Sequence, residues 1–189
     1  VKKQFRSLRG KRVVEWAVES VAACPEVQAV VVVTGAGDVE FVRRLFAGRG
    51  ESKVAAVVAG GPSRRLSVAS GLAALPADVR WVVVHDGARP LVTPALVGRV
   101  LAAARAHGAA TAALPVSDTL KRVGPDGRVL ETVDRSTLWA VQTPQAFARD
   151  LLDRAHAASA GAAGPEATDD AGLVERLGQP VHVVPGNPA

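Results

Sequence analysis

The sequence predicts an α/β fold with a three-layer, mostly parallel sheet, and three observations carry that prediction. Short apolar runs, most of them rich in β-branched residues, recur along the chain at 29–34, 53–58, 81–84, 109–114 and 181–184. Stretches with apolar residues at helical spacing separate most of these runs, and that alternation is typical of right-handed parallel crossovers. The composition, with 48% apolar and 22% charged residues among 189, suits one globular domain over 1–189.

Six helices are expected between and after these strands. In order, they begin at Val13, Asp38, the residues after Arg65, Thr93-Pro94, Thr143-Pro144 and Thr168. They end at Cys24-Pro25, Gly48 and Gly50, Pro76, Gly108, Ala160 and Leu177. A loop rich in Ala and Gly is expected from Ala160 to Ala167. In the fifth helix, Phe147, Leu151, Leu152 and Ala155 are expected to face the core.

Composition narrows the functional classes. The net charge of +5 comes from Lys and Arg residues that are scattered, and only 4% of residues are aromatic, so we expect small anionic substrates and no nucleic acid. The longest apolar runs, such as 29–33, are too short to cross a bilayer. A single cysteine, Cys24, fits a reducing cytoplasm. Because the sequence lacks methionine and opens on what reads as a loop, we expect that an upstream segment is missing.

The decapeptide 81–90 is the strongest local indication of function. Its valines predict a strand buried on both faces, and Asp86 would mark the carboxyl end of that strand. Ligands of open α/β sheets bind beyond such ends, where a carboxylate can hold a divalent metal and Arg89 can meet a phosphate. The alternative is a local ion pair between Asp86 and Arg89 that only orders a loop.

A second turn of this kind follows the strand at 53–58. Gly60-Gly61 can bring backbone N–H groups to a phosphate or a base, or can merely supply positive φ for a turn. Ser67, in the helix that follows, is either a nucleotide contact or plain helix surface. Near the C-terminus, Asp169 and Asp170 are better explained as helix-capping acids than as metal ligands.

The α/β rhythm is interrupted from Val116 to Val133. Two short extended segments flank the turn residues 124–127, which predicts a β-hairpin inserted into the fold. Its polar strands carry too little apolar surface to be stable alone. We therefore expect that this arm, about 116–136, packs against a second copy of the chain.

Taken together, seven segments resemble one enzyme family, the 2-C-methyl-D-erythritol 4-phosphate cytidylyltransferases. In order, they are Lys3-Gln4-Phe5, Gly60-Gly61 with Arg64 and Ser67-Val68, His85 to Pro90, Asp118 to Arg122, Val133-Asp134-Arg135 with Leu138-Trp139, Gln142 to Gln145, and Thr168-Asp169-Asp170. The resemblance covers nearly the whole chain. It implies a Rossmann-like nucleotidyltransferase fold with a hairpin dimerisation arm.

The resemblance also implies a reaction and the residues that perform it. An oxygen of methylerythritol phosphate would attack the α-phosphorus of CTP and release pyrophosphate, with help from Mg²⁺. The implied catalytic residues are Lys3, Asp86 and Arg135, and Asp86 would also hold the metal. The implied substrate-binding residues are Gly61 and Ser67 for cytosine, Arg64, Arg89, Thr143 and Thr168, with Thr119 reaching in from a neighbouring subunit.

Each implied role has a structural alternative. Lys3 and Arg64 can be ordinary solvated charges, Thr143 and Thr168 plain helix caps, and Arg135 a partner of Asp134 within the arm. Two departures from the family pattern also stand out, because no Ala-Ala-Gly-x-Gly-x-Arg loop precedes Lys3 and no lysine follows Asn187. Competing functions are therefore a nucleotidyltransferase for another polyol or sugar phosphate, and a catalytically silent nucleotide-binding module. A Rossmann dehydrogenase is disfavoured, since no G-x-G-x-x-G follows a first strand.

Overall fold

The computed structural model describes residues 2–47, 53–160 and 167–188. Its strands are β1 (Ser7–Leu8), β2 (Lys11–Arg12), β3 (Val30–Thr34), β4 (Val54–Ala59), β5 (Trp81–Val84), β6 (Ala109–Pro115), β7 (Leu120–Val123), β8 (Val129–Val133), β9 (Trp139–Ala148) and β10 (His182–Pro185). Its helices are α1 (Val13–Ala22), α2 (Val39–Phe46), α3 (Arg64–Ala73), α4 (Pro94–His107), α5 (Arg149–Ala158) and α6 (Asp170–Arg176). Short 3-10 turns lie at Lys3–Phe5 and Ala36–Asp38. Each of the five predicted α/β strands is present within about one residue of its expected bounds.

The strands form mixed sheets. In the four-stranded sheet the order is β10-β6-β9-β5, with β10 parallel to β6 and β9 antiparallel to both of its neighbours. Three of these four strands therefore run in one direction, and only β9 is reversed. Strands β3 and β4 form a separate parallel pair. The α/β class is confirmed.

Helices cover both faces of the four-stranded sheet. Successive side chains of a strand point to opposite faces, so neighbouring residues of one strand enter different core clusters. Ala110 and Ala146 pack against α4 in one core cluster, whereas their neighbours Ala109 and Phe147 pack against α5 and α6 in another. A third cluster fills the space between the β3–β4 pair and helices α1 and α2. Fully burying a side chain such as Phe147 contributes about 1.5–3 kcal/mol. The result is the expected three-layer arrangement.

The predicted start of the fifth helix at Thr143-Pro144 is wrong, although the helix itself is present as α5 and buries Leu151, Leu152 and Ala155 as expected. Both residues lie inside β9, and Phe147 stands in the ladder opposite Val82 and Ala109. A Thr-Pro pair is a sound local signal for a helix start. Pairing of β9 with strands on both sides outweighs that signal, so α5 begins only at Arg149.

Two other helix boundaries also differ from the expectation. Asp38 directly precedes α2, but its carboxylate makes no capping bond and pairs with Lys2 instead. Helix α3 begins at Arg64, two residues earlier than expected, since Ser63 caps it by accepting the N–H of Leu66. The predicted glycine stops at 48 and 50, and positions 161–166 of the predicted Ala/Gly loop, lie outside the described residues.

The predicted hairpin is present. Strands β7 and β8 pair antiparallel, and Gly127 in the connecting turn has φ of +81°. An ion pair between Arg122 and Glu131 crosses the two strands, and Leu130 at the tip is 64% exposed.

In the described parts of the chain, no helix combines the length and the apolar character that a membrane crossing requires.

Candidate active site

One cavity brings together most of the residues that the sequence indicates. Its volume is about 1480 Å³, and it lies at the carboxyl ends of β3, β4 and β5 and between β3 and β5. Seven of the ten predicted site residues line it: Lys3, Gly61, Arg64, Ser67, Asp86, Arg89 and Thr143. They come from four separate segments of the chain, so the fold itself gathers them.

Among the described residues, β3 pairs only with β4 and β5 only with β9, and both strands line the cavity. On the β4 side, the N–H of Val30 donates to the carbonyl of Lys53 and the carbonyl of Thr34 accepts the N–H of Gly60. On the β9 side, the carbonyl of Arg80 accepts the N–H of Arg149. Since backbone direction alternates along a strand, Val31 and Val33 of β3, and Trp81 and Val83 of β5, turn their N–H and C=O groups away from these partners. The expectation that β5 is buried on both faces is wrong, because apart from Val82 its residues are half-buried.

The glycine turn after β4 is shaped by close approach to α3. A Cβ on Gly61 would lie 2.5 Å from the Cβ of Leu66, and one on Gly60 would lie 2.6 Å from the Oγ of Ser67. Neither glycine has positive φ, so the alternative explanation for the pair is wrong. Ser67 donates its hydroxyl to carbonyls at Ser63 (2.9 Å) and Gly61 (3.3 Å), which ties the turn to the helix.

Thr143 links β9 to the loop after β5. Its hydroxyl accepts the N–H of Asp86 at 3.1 Å and lies 3.0 Å from Nδ1 of His85. The Nε2 of His85 lies 3.1 Å from the carbonyl of Arg89, which can only accept a hydrogen bond. His85 therefore carries its proton on Nε2 and accepts the Thr143 hydroxyl on Nδ1. This chain of bonds fixes the backbone from 85 to 89.

The environment of His85 keeps the ring neutral. Burial lowers its pKa from the ordinary value of 6.5, and Arg89 adds to that effect, while the Arg89 carbonyl and the Asp86 carboxylate oppose it. A proton on Nδ1 would also remove the acceptor that the Thr143 hydroxyl needs. Neutral His85 is thus part of the site's architecture.

Asp86 and Arg89 form the local ion pair that the sequence left open. The Nε of Arg89 lies 3.2 Å from Oδ2 of Asp86, and both side chains are 43% exposed. At that exposure the pair contributes no more than about 1 kcal/mol. The pair still holds a carboxylate and a guanidinium side by side at the cavity, where a phosphate and a cation could both bind.

Lys3 and the C-terminal segment lie at the rim of the same cavity. Lys3 is exposed and lines the cavity from the first 3-10 turn. Gln142 donates to the carbonyl of Asn187 at 3.2 Å, which brings the last described residues beside Thr143. Both Gln142 and Asn187 line the cavity.

Arg64 is not an ordinary solvated charge. Its Nη1 lies 2.6 Å from Oδ2 of Asp170, whose side chain is fully buried. Asp169, not Thr168, caps α6 by accepting the N–H of Gly172. The predicted role of Asp169 as a helix-capping acid is thus confirmed, while Asp170 is instead the buried partner of Arg64. Within the described residues, no three His, Cys, Asp or Glu side chains are grouped as metal ligands.

Three predicted site residues lie outside the cavity lining: Thr119, Arg135 and Thr168. All three are exposed. Arg135 donates to the carbonyl of Ser117, while Asp134 accepts from Ser136, so the suggested pairing of Arg135 with Asp134 is wrong. The explanation of Thr143 and Thr168 as helix caps is also wrong, because Thr143 is in a strand and Asp169 takes the cap.

Sequence reasoning assigned no role to several residues that the structure brings into play. His85 and Gln142 sit in quoted motifs, yet the role of each depends on a partner more than 40 residues away. Asp170 could be recognised only as an acid at a helix start. A short motif shows which residues are present, but it does not show which side chain each one meets.

Comparisons with known proteins agree with this geometry. The family model for 2-C-methyl-D-erythritol 4-phosphate cytidylyltransferase matches residues 1–189. The enzyme of that name from Pelotomaculum thermopropionicum is 49% identical over 98% of this chain and 78% of its own. The crystal structure of the Thermus thermophilus enzyme superposes with a TM-score of 0.81 at 37% identity, covering 98% of this chain and 84% of that one. A 4-diphosphocytidyl-2C-methyl-D-erythritol synthase from Anaerococcus prevotii gives a TM-score of 0.88 at 26% identity, over 98% and 84% of the two chains. The chain belongs to the 2-C-methyl-D-erythritol 4-phosphate cytidylyltransferase family.

Proposed function

We propose that the cavity beyond β4 and β5 is where this cytidylyltransferase joins CTP to 2-C-methyl-D-erythritol 4-phosphate. The family's reaction gives 4-diphosphocytidyl-2-C-methyl-D-erythritol and pyrophosphate in isoprenoid precursor biosynthesis. The observation that carries the proposal is the convergence of seven separately predicted residues on one cavity. The chemistry needs positioning and charge neutralisation more than covalent help, and a cavity lined by Lys3, Arg64 and Arg89 offers both.

The nucleotide is assigned to the glycine turn. Gly60 and Gly61 leave no room for side chains between the turn and α3, so backbone groups form that wall of the cavity. Ser67, bonded to the Gly61 carbonyl, fixes the width of the turn. Such a narrow edge suits the hydrogen-bonding face of a pyrimidine and disfavours a purine. Arg64 stands beside the same turn, in reach of the anionic part of the nucleotide.

Lys3 and Asp86 are assigned to the reacting phosphate. The exposed ammonium of Lys3 would neutralise charge that builds up on the α-phosphoryl group. Asp86 would hold Mg²⁺, which when bound neutralises phosphate charge. A single carboxylate with one oxygen already engaged by Arg89 fits this ion, since Mg²⁺ usually takes one or two protein carboxylates and keeps waters and phosphate oxygens as its other ligands.

The acceptor is assigned to the opposite rim of the cavity. Arg89 can bind its phosphate, and Thr143 holds the Asp86 backbone in register with that site. Three residues assigned to the acceptor lie outside the cavity, namely Arg135, Thr119 and Thr168. They belong to the acceptor site only if another part of the assembled protein brings them to it. We propose that the arm of a second subunit does so for Thr119, in a homodimer built through residues 116–136. The exposed apolar side chains of the arm, Val123, Val129 and Leu130, support such a contact.

We also place the enzyme in the cytoplasm. Its one cysteine, Cys24, is buried and free, so the described fold depends on no disulfide.

The first test of the proposed site is an isosteric change at Asp86. Asp86→Asn should abolish magnesium-dependent pyrophosphate release from CTP and methylerythritol phosphate while leaving the fold intact, because a neutral amide is a poor ligand for a hard cation. Asp153→Asn is a matched control, since Asp153 is an exposed carboxylate paired with the Nε of Arg149 at 2.7 Å. Near-normal turnover by Asp86→Asn at saturating substrates would refute the metal role. Turnover with other polyol phosphates but not with this one would refute the acceptor.

The second test asks whether Thr119 acts in the partner's site. Thr119→Ala and Asp86→Asn chains, each nearly inactive alone, are mixed under conditions in which mass measurement shows subunit exchange. If Thr119 acts in trans, a mixed dimer has one site with both changes and one site with neither. Random pairing of equal amounts makes about half the dimers mixed, so roughly a quarter of wild-type activity should return. No recovery despite exchange would mean that Thr119 serves its own subunit or no site.

A further inference from the structure

A buried polar cluster joins three helices behind the active site. Asp170 of α6 is 0% exposed, and its two oxygens have different partners: Arg64 of α3 at 2.6 Å and His156 of α5 at 3.0 Å. His156 is 7% exposed. In the part of the chain that the structure describes, its Nδ1 has no hydrogen-bond partner. Each carboxylate oxygen of Asp170 is therefore committed, and the charge of Arg64 balances the buried anion.

The start of α6 is held rigidly against the sheet. Gln145 of β9 is fully buried, donates to Oδ2 of Asp169 at 2.7 Å and accepts the N–H of Ala171 at 3.2 Å. Asp170 lies between these two contacts in sequence, so its backbone cannot shift without breaking one of them. These contacts therefore hold the Asp170 carboxylate in one position.

Arg64 links the Asp170 carboxylate to the cavity. It is the first residue of α3, three residues after Gly61 and three before Ser67, and its side chain is 36% exposed where it lines the cavity. One nitrogen of the guanidinium is bound to Asp170, and the side chain also reaches the space assigned to the nucleotide. An unrestrained arginine samples many rotamers, and an anionic ligand would have to order it at a cost in affinity.

We propose that Asp170, oriented by His156, is a positioning residue that holds Arg64 ready for the anionic part of CTP. This rests on the proposed assignment of the glycine turn to the nucleotide. Asp170 itself does not line the cavity. Its effect on CTP therefore passes through Arg64, and removing Arg64 should make Asp170 irrelevant to CTP affinity.

Calorimetric titration with CTP tests the inference on folded protein. Asp170→Asn keeps the shape of the side chain but removes its charge, and it should weaken CTP binding about tenfold, or about 1.4 kcal/mol. The affinity for methylerythritol phosphate should not change. Asp153→Asn is the matched control, since it makes the same change in an exposed carboxylate that pairs with Arg149 and not with Arg64.

The double variant Arg64→Gln with Asp170→Asn separates positioning from simple loss of stability. It replaces the ion pair by two neutral amides, so it avoids the unpaired buried carboxylate that Arg64→Gln alone would leave. If Asp170 acts through Arg64, adding Asp170→Asn to Arg64→Gln should not weaken CTP binding further, so folded Arg64→Gln and the double variant should bind CTP equally weakly. A double variant that binds CTP about tenfold more weakly than Arg64→Gln alone would show that Asp170 acts on CTP by another route.

Two outcomes distinguish this inference from the proposed function. Wild-type protein that binds CTP, with Asp170→Asn binding it equally well, would overturn the positioning role alone. Wild-type protein that binds no CTP would overturn the nucleotide site and the positioning role together. A fall in thermal stability of Asp170→Asn without any change in CTP affinity would assign the cluster to folding only.

Discussion

Gly61 should tolerate no side chain, because of its distance from α3. In Gly61→Ala the new Cβ would lie 2.5 Å from the Cβ of Leu66 and 3.2 Å from its carbonyl carbon. Carbon atoms pack at about 3.5–4.0 Å, so the turn and the helix would have to separate by roughly 1 Å. Neither contact atom is the end of a flexible side chain, which leaves only backbone movement to relieve the clash.

The magnitude follows from the cost of overpacking. Inserted carbons that force backbone shifts typically cost about 1–3 kcal/mol. For a chain of this length each kcal/mol lowers the melting temperature by about 2–4 °C, so a fall of about 2–12 °C is expected. CTP binding should weaken as well, since the turn that moves is the one assigned to the base.

Gly37→Ala is the matched control for this prediction. A Cβ at Gly37 would meet no atom within 4 Å, and its φ is not positive. Alanine there should leave the free energy of unfolding unchanged or raise it by about 0.4–1 kcal/mol. Urea unfolding of both variants, with and without CTP, measures the difference. Equal unfolding midpoints for the two variants would refute the close approach at Gly61.

Two further predictions concern the nucleotide and pH. CTP should protect the protein against thermal unfolding more than ATP or GTP does, because the turn at Gly60-Gly61 is narrow; equal protection by all three nucleotides would contradict this. His85 should make unfolding depend on pH, since its lowered pKa means that below pH 6.5 the unfolded chain binds a proton that the folded chain resists. The free energy of unfolding should therefore fall as pH drops from 6.5 toward the folded pKa, and His85→Gln should flatten that slope. An unchanged slope in this variant would place the titration elsewhere.

The strands and most helices could be predicted because their signals are local. The β-branched runs at 30–34 and 82–84, and the Thr93-Pro94 start of α4, are signals that act within a few residues. The failure at Thr143-Pro144 has the opposite cause. A local helix signal there competes with pairing partners that lie more than 30 residues earlier in the chain, and pattern reasoning cannot weigh those partners.

The same distinction between local signals and distant contacts applies to the candidate active site. Asp86 could be predicted because a strand end followed by an acid and a glycine is recognisable in the sequence. The contacts that fix its loop could not, since the Thr143 hydroxyl that accepts the Asp86 N–H comes from a segment 57 residues away. The two local alternatives for Arg89 and Arg135 had opposite outcomes: Arg89 does pair with Asp86, whereas Arg135 turns to the carbonyl of Ser117.

The structure also explains how the site can be both rigid and open. Several polar groups at the cavity are anchored by contacts inside the protein: the Asp86 N–H by the Thr143 hydroxyl, the Ser67 hydroxyl by the Ser63 carbonyl, and the Arg64 guanidinium by Asp170. These anchoring contacts are buried to different degrees, and Asp170 is the most deeply buried of the three partners. Breaking an exposed anchor such as the Asp86–Arg89 pair would cost no more than about 1 kcal/mol, whereas removing one partner of the Arg64–Asp170 pair would cost about 3–5 kcal/mol. Loss of a partner is therefore penalised more heavily at Arg64 than at Arg89.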